Sequence, residues 1–151
     1  MTGFTVYDSI FGLLKIQYED SFITKIEKTD DKPDINPTSL TDTVYKQLTE
    51  YFEGRRKVFD FPIKLNGTDF QKAVWKELLK IPYGETCSYK EIAEKIENPK
   101  ACRAVGMANN KNPILIAIPC HRVIGSDGSL VGYGGGLDMK KTLLDLEKQN
   151  C

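Results

Sequence analysis

Residues 118–125 (IPCHRVIG) place three chemically active side chains in a row, Cys120, His121 and Arg122. A thiol becomes a useful nucleophile only as the thiolate, so it needs a base or a field that lowers its pKa. His121 is the only histidine of the chain, and an imidazole titrates near neutral pH. A nucleophilic cysteine with an adjacent base is one interpretation of this pair, but cysteine is among the most buried residue types, so the pair alone favours a buried thiol beside an unrelated histidine. A metal-ligand pair is the third alternative.

The orientation of His121 decides whether this pair can work. In an extended segment neighbouring side chains point to opposite sides, so Cys120 and His121 need a bend after Pro119 or a bridging water to act together. The imidazole also needs a carboxylate on its other nitrogen, and four downstream residues are candidates: Asp127, Asp138, Asp145 and Glu147. The lack of a second histidine argues against a cysteine protease, whose base usually comes from a distant strand.

Four cysteines are spread along the chain without a CxxC pair: Cys87, Cys102, Cys120 and Cys151. With a single histidine available, a zinc site would require scattered thiols to converge, so we expect no metal. Nothing resembles a secretory signal, and thiols in the cytosol stay reduced, so we expect no disulfide. The glycine-rich residues 132–136 lack a following phosphate-binding helix pattern, so no cofactor is expected either.

Charge is distributed unevenly along the chain, although the formal net charge of the 151 residues is zero. Residues 1–66 carry 9 Lys and Arg against 11 Asp and Glu, and residues 67–151 carry 12 against 10, which gives −2 and +2. Residues 100–122 include four basic residues and no acidic one, a pattern that fits contact with phosphates and fits an ordinary solvated surface as well. No apolar run approaches the roughly 20 residues of a membrane helix, so we expect a cytoplasmic protein without membrane contacts.

The first part of the chain has the pattern of a small sheet and one helix. Short alternating runs predict strands over residues 4–7, 13–18 and 22–27. A polar connection over residues 29–37 leads to a helix predicted over residues 41–53, with Gly54 as its C-terminal stop. An extended link follows, and we place the domain boundary near its end, which divides the chain into residues 1–66 and 67–151.

The second part must position the cysteine segment and is mainly helical. Thr68 can cap a helix over residues 69–79, and Ser88 and Glu91 form a capping box for a short helix that ends near Ile96. After a turn at Asn98 and Pro99, a helix is predicted over residues 100–109, with Pro99 fitting its start. Its small apolar residues would pack inward or against a close neighbour: Ala101, Ala104, Val105 and Ala108. Two short helices after a third make a helix-turn-helix, and the turn at residues 125–129 suggests a wing hairpin. A plain three-helix bundle fits the pattern equally well.

Several linked motifs resemble one family, the O6-alkylguanine-DNA alkyltransferases. The run PCHRVIG at residues 119–125 is similar to their active-site signature. Further similar segments lie in the same order and spacing at residues 51–63, 67–93, 98–113 and 132–147. The resemblance covers nearly the whole chain and is weakest over the first 40 residues.

The resemblance implies an α+β fold, with a small N-terminal antiparallel sheet and helix (ribonuclease H-like) and a winged-helix-like C-terminal domain. It implies stoichiometric transfer of an alkyl group from O6 of guanine in DNA to a cysteine, with O4-alkylthymine as a further candidate substrate. Residues 1–66 would be a structural domain, and residues 67–151 would bind DNA and carry the chemistry. The partner would be double-stranded DNA, bound through its minor groove with the damaged base flipped out. The protein would act as a monomer without a cofactor.

The resemblance also assigns roles in the chemistry. Cys120 would accept the alkyl group, and His121 would take its proton through a water molecule. Glu147 would orient the imidazole. Asn112 would hold the loop of the active site against the helix-turn-helix.

A second set of residues would contact DNA and the extruded base by the same resemblance. Tyr89 would contact the nucleotide and its phosphate, and Arg103 would enter the base stack in its place. Tyr133 would donate a hydrogen bond to the guanine, and backbone groups of Cys120 and Val123 would line its pocket. Gly134 stands where many relatives have serine, so only its backbone N–H could serve the O6 atom.

Two other functions remain open at this point. A lesion-recognition protein of the alkyltransferase-like kind would bind the damaged base without transfer, but those relatives replace the acceptor cysteine, which is present here as Cys120. A winged-helix regulator would give no reason for the adjacent Cys120 and His121.

Overall fold

The computed structural model describes residues 1–30, 32 and 36–151 and divides into two compact units, Met1–Leu65 and Asn66–Cys151. The predicted connection at residues 29–37 lies partly outside the described residues. Each unit has a core of its own, and the site built around Cys120 lies within the second.

The first unit is a three-stranded antiparallel sheet with one helix. Strands β1 (Thr2–Ser9), β2 (Gly12–Glu19) and β3 (Phe22–Lys28) pair in sequence order through two-residue turns, and helix α1 spans Ser39–Phe52. Apolar residues at spacings of two in the strands and three to four in the helix share buried faces. The core includes Leu14, Ile16, Ile26, Val44, Leu48 and Tyr51. The predicted sheet and helix are confirmed.

The second unit is built from four helices and two very short strands. The helices are α2 (Asp69–Leu78), α3 (Tyr89–Lys95), α4 (Cys102–Asn110) and α5 (Leu137–Asn150). Strands β4 (Cys87–Ser88) and β5 (Val123–Ile124) pair in parallel. Within the described residues, no helix combines the length and apolar character that a membrane crossing requires.

Capping boxes set where three helices begin. Thr38 with Thr41, Thr68 with Gln71 and Ser88 with Glu91 each exchange side-chain and backbone hydrogen bonds at the starts of α1, α2 and α3. These bonds satisfy backbone N–H groups that have no partner within the helix. The predicted cap at Thr68 and the predicted box at Ser88 are therefore confirmed.

The start of α4 differs from the prediction. The helix begins at Cys102, because residues 98–101 form a tight turn in which the Ala101 N–H donates to the Asn98 carbonyl over 3.0 Å. Pro99 therefore lies in this turn and not in the first helical turn. Val105 and Ala108 are buried, whereas Ala104, which was expected to pack inward or against a close neighbour, is exposed and does not pack inward.

The predicted wing hairpin is a turn. The Gly125 N–H donates to the Ser129 carbonyl over 2.9 Å, which closes the loop, but none of residues 125–136, all of them described, belongs to a strand. The strand that precedes this turn, β5, instead pairs in parallel with β4. The segment after the turn continues to α5 without a partner strand of its own.

Candidate active site

A buried loop between α4 and β5 carries the candidate nucleophile. Residues 114–118 are largely buried apolar residues, and Ile116 has a φ of 74°, a region that β-branched residues rarely adopt. Cys120, only 1% exposed, then opens a single 3-10 turn that spans Cys120–Arg122. Of the two arrangements that the sequence left open, a bend after Pro119 and a bridging water, the structure has the bend, in which the Arg122 N–H donates to the Pro119 carbonyl over 3.0 Å. Cys120 and His121 thus lie on one tight turn.

Two asparagine amides at the end of α4 fix the position of Cys120. Asn112 accepts from the Ile114 N–H over 3.0 Å, and its Nδ2 donates to the Ile118 carbonyl over 2.8 Å and to the Cys120 Sγ over 3.0 Å. The Asn109 Nδ2 donates to the Cys120 carbonyl over 3.3 Å. Hydrogen bonds therefore connect both the sulfur and the backbone of Cys120 to the last turn of α4 and the residues directly after it.

Burial keeps the Cys120 thiol protonated. Removal from water raises the pKa of Cys120 to about 11, although the Asn112 hydrogen bond and the charge of Lys140 act in the opposite direction. Burial disfavours the thiolate because a charge is poorly solvated in the protein interior. The thiol therefore needs a base before it can act as a nucleophile at neutral pH.

Glu147 of α5 joins three segments of the second unit. Its Oε2 lies 2.6 Å from the His121 Nε2, and its two oxygens accept from the Arg122 Nε over 2.8 Å and Nη2 over 3.0 Å. The Gly84 N–H also donates to the Oε1 over 3.1 Å, and the Arg122 Nη1 donates to the Ile81 carbonyl over 2.6 Å. Arg122 is therefore buried in an ion pair and does not extend the basic surface that the sequence suggested.

The protonation states of this group follow from burial and charge. Burial raises the pKa of Glu147, but hydrogen bonds from His121 and Arg122 outweigh it and bring this pKa to about 2. Burial lowers the pKa of His121 and outweighs the hydrogen bond with Glu147. At neutral pH the carboxylate is thus ionised and the imidazole is neutral, with the Nε2–H donating to Glu147 and with Nδ1 as the basic nitrogen of this tautomer.

The structure distinguishes between the four carboxylates that the sequence offered as partners of the imidazole. Glu147 alone among them is buried and bonded to His121. Asp127 accepts from the Ser129 hydroxyl over 2.6 Å in the turn after β5, and Asp138 and Asp145 are exposed on α5.

Tyr133 presents a buried hydroxyl near the imidazole. Its ring lies edge-on to the His121 ring with centroids 6.5 Å apart, and its Oη has no hydrogen-bond partner among the described residues. Burial raises the pKa of Tyr133 well above its usual value, so the hydroxyl stays protonated. A buried donor without a partner is costly unless a ligand supplies the acceptor.

The remaining predicted residues lie around this centre or on α4. The Tyr89 Oη donates to the Val131 carbonyl over 2.6 Å, and Val123 is buried in β5. Gly134 is exposed in the loop before α5, and Arg103 is exposed on α4.

Lys140 and Arg122 are buried participants that the sequence prediction did not include. The Lys140 Nζ donates to the carbonyls of Val123 over 2.6 Å, Val131 over 3.0 Å and Gly132 over 3.3 Å. It thereby holds β5 to the loop that carries Tyr133. The spacing of Lys140 with Leu143 and Glu147 on one helix face is a signal that could have placed it inside.

The described residues hold no group of three or more His, Cys, Asp or Glu side chains arranged to bind a metal ion. The cysteines are free thiols, two of them buried. The arrangement is a buried thiol bonded to an asparagine amide, a neutral imidazole on the next residue that is bonded to an ionised carboxylate, and a buried tyrosine hydroxyl near the imidazole.

Two family models together match most of the chain. The 6-O-methylguanine DNA methyltransferase ribonuclease-like domain matches residues 4–65, and the DNA binding domain of the same family matches residues 69–149. A methylated-DNA–protein-cysteine methyltransferase of Mycolicibacterium paratuberculosis is 46% identical over 156 residues, which covers 99% of this chain and 94% of that protein. One from Methanosarcina barkeri is 62% identical over 105 residues, covering 70% of this chain and 66% of that protein.

Solved structures agree with these matches. The Mycobacterium tuberculosis O6-methylguanine methyltransferase has a TM-score of 0.90 at 44% identity, with 100% of this chain and 95% of that chain covered. Mycobacterium tuberculosis OGT in complex with DNA has a TM-score of 0.89 at 46% identity, covering 98% and 94%. The α+β fold and the family resemblance are thus confirmed, and this chain belongs to the 6-O-methylguanine DNA methyltransferase family.

Proposed function

We propose that this protein repairs DNA by direct reversal, moving an alkyl group from O6 of guanine to Cys120. Relatives aligned over almost the full chain are named methylated-DNA–protein-cysteine methyltransferases, and one similar structure contains DNA. The observation that carries the proposal is a buried thiol followed directly by a neutral histidine, which is bonded to an ionised carboxylate.

Activation of the thiol is the first step. His121 takes the proton of Cys120 through a water molecule, and the ionised Glu147 stabilises the imidazolium that results. Arg122 keeps Glu147 ionised and in place. The Asn112 amide, 3.0 Å from the sulfur, donates to the thiolate and lowers the cost of the charge.

Transfer then occurs in one displacement. The sulfur forms a bond to the alkyl carbon while the bond from that carbon to O6 breaks, and the electron pair of that bond moves into the guanine. Tyr133 donates a hydrogen bond to the purine and so makes it a better leaving group, which gives its unpartnered buried hydroxyl an acceptor. The Gly134 N–H and the backbone of Cys120 and Val123 line the same pocket.

The product sets the stoichiometry. The transfer leaves a thioether on Cys120, and no thiol–disulfide exchange reverses such a bond. Each protein molecule therefore repairs one lesion and then stops, so the protein acts as a reagent with the selectivity of an enzyme. No cofactor enters this reaction.

DNA is the partner, and we assign its docking to the helix-turn-helix of α3 and α4 in residues 67–151. O6 of a stacked guanine is out of reach of a buried thiol, so the nucleotide must leave the stack, which costs a few kcal/mol. Arg103, exposed on α4, fills the vacated space, and Tyr89 contacts the rotated nucleotide. We assign a structural role to residues 1–66, and we place the protein in the cytoplasm as a monomer.

Mass spectrometry of the intact protein tests this proposal. After mixing with duplex DNA that holds one O6-methylguanine, we expect one added methyl group per protein, mapped to Cys120 by peptide analysis. Cys120→Ser should gain no mass, and Cys102→Ser, which removes the thiol at the start of α4, should react normally. Binding of the lesion without any change in mass would instead identify a lesion-recognition protein.

A further inference from the structure

Helix α4 has a buried face and an exposed face of different character. Val105, Ala108 and Asn109 are buried, and the Trp75 indole N–H of α2 donates to the Ala108 carbonyl over 2.9 Å. Arg103, Ala104 and Met107 are exposed on the opposite side. Contacts with α2 and α3 thus fix the orientation of the helix and leave this second face to solvent.

Met107 stands out on that exposed face. Its side chain is 64% exposed, and it follows Arg103 by four residues, which places the two side chains next to each other on the helix. The residue between them on this face is Ala104, whose side chain is small. Single exposed apolar residues are common and need no explanation by themselves. Whether Met107 has a function must therefore be judged from the residues around it.

The charges around Met107 indicate what this face meets. The chain has no acidic residue between Glu97 and Asp127, whereas Lys100, Arg103 and Lys111 carry positive charge at and near α4. Cations beside an apolar centre match a DNA minor groove, where phosphates line the edges and base and sugar edges form the floor. Minor-groove proteins frequently insert apolar side chains, methionine included, at the steps that they unstack.

We propose that Met107 is a second DNA-contacting residue of α4, which packs its thioether side chain into the minor groove beside Arg103. This rests on the proposed function, since it requires that α4 docks on duplex DNA. The apolar contact stabilises the opened step while Arg103 occupies the place of the extruded nucleotide. Methionine suits this position because its unbranched side chain adapts to an irregular surface.

Binding measurements at several salt concentrations test the role of Met107. We expect Met107→Ala to weaken binding to duplex DNA by roughly tenfold without changing the slope of log Kd against log salt. Arg103→Ala should reduce that slope by about one, since it removes a charged contact. Met107→Leu should restore most of the affinity, and alanine is a better helix former than methionine, so α4 itself is not weakened.

Two controls separate this proposal from others. Val58→Ala truncates a side chain that is 71% exposed in the first unit and should leave DNA affinity unchanged. Transfer from free O6-methylguanine, which needs no groove docking, should proceed equally in the wild type and Met107→Ala. Unchanged DNA affinity in Met107→Ala, an altered salt slope, or a parallel loss of free-base transfer would each overturn the role of Met107. If the wild type itself neither binds DNA nor gains an alkyl group, the proposed function fails first.

Discussion

The side chains of His121, Arg122 and Glu147 determine one another's charge. Arg122 gives Glu147 a permanent cation, so the carboxylate remains ionised although it is buried. His121 is therefore bonded to a carboxylate whose negative charge is already balanced by Arg122, and burial keeps the imidazole neutral. A histidine paired with an isolated buried carboxylate would be protonated more readily, so a smaller fraction would be in the neutral form that can accept a proton from the neighbouring thiol.

The rate of alkyl transfer should report this arrangement through its pH dependence. Because burial lowers the pKa of His121 below its ordinary value of about 6.5, the rate should fall only when the pH drops below that value. His121→Gln should lose about 100-fold or more at neutral pH, and its rate should rise with pH towards the Cys120 pKa of about 11. Single-turnover rates across the pH range measure both effects.

Two carboxylates on α5 allow a matched test of whether Glu147 orients the His121 imidazole. Glu147→Gln removes the charge that stabilises the imidazolium, so transfer should slow by about 10-fold to 100-fold. Asp145→Asn, two residues away and exposed, should leave the rate unchanged. Equal rates in the two variants, with both proteins folded, would show that Glu147 has no part in activating the thiol.

At the residue scale, the sequence identified Cys120 and His121 through the resemblance of residues 119–125 to the family signature, since their adjacency alone favoured a buried thiol beside an unrelated histidine. It left four carboxylates open, because which of them folds back onto the imidazole depends on how α5 packs. Arg122 was expected on a basic surface and Lys140 was not considered, since isolated cations usually lie in water. Their burial depends on acceptors in other segments, the Ile81 carbonyl for Arg122 and the Val123 carbonyl for Lys140.

At the scale of elements, α4 and the loop after it connect DNA docking with the nucleophile. Arg103 lies at the start of α4, and Asn109 and Asn112 at its end bond to the backbone and sulfur of Cys120. A rotation of α4 on the DNA would therefore move the amides that hold the thiol. The helices were predictable from their caps and apolar spacing, whereas the start of α4 depended on the turn around Pro99.

The capping box of α3 should contribute measurably to stability. Ser88→Ala removes the hydroxyl that accepts from the Glu91 N–H over 3.1 Å, so the free energy of unfolding should fall by about 1 kcal/mol. Thr142→Ala removes a hydroxyl from the exposed side of α5 and should have little effect. Urea unfolding of the two variants measures the difference, and equal midpoints would contradict a role for the cap.

At the scale of the whole molecule, the buried charges make stability depend on pH. Glu147 has a folded pKa of about 2, below its ordinary value of about 4.5, so its contribution is present above pH 4.5 and is lost as the pH falls towards 2. The lowered pKa of His121 acts in the same direction below pH 6.5. The free energy of unfolding should therefore decrease steadily as the pH is lowered from neutral.

Removing the carboxylate should reveal this dependence. Glu147→Gln leaves Arg122 buried without its ion pair, so we expect a loss of about 3 to 5 kcal/mol at neutral pH. The variant should also lose less additional stability than the wild type between pH 4.5 and pH 2. Glu94→Gln, an exposed position on α3, is the matched control. If the free energies of unfolding of the wild type and Glu147→Gln fall in parallel as the pH is lowered, the low pKa of Glu147 is contradicted.

The contacts of Glu147 also bear on how the protein becomes reactive during folding. They join residues 63 positions apart in the case of Gly84 and 26 in the case of His121. Contacts of such long range form late, because much of the chain must be ordered before they close. A newly made or partly refolded chain would therefore have cysteines without the active-site contacts. The amount of alkyl group that a sample accepts would then measure the number of fully folded molecules in it.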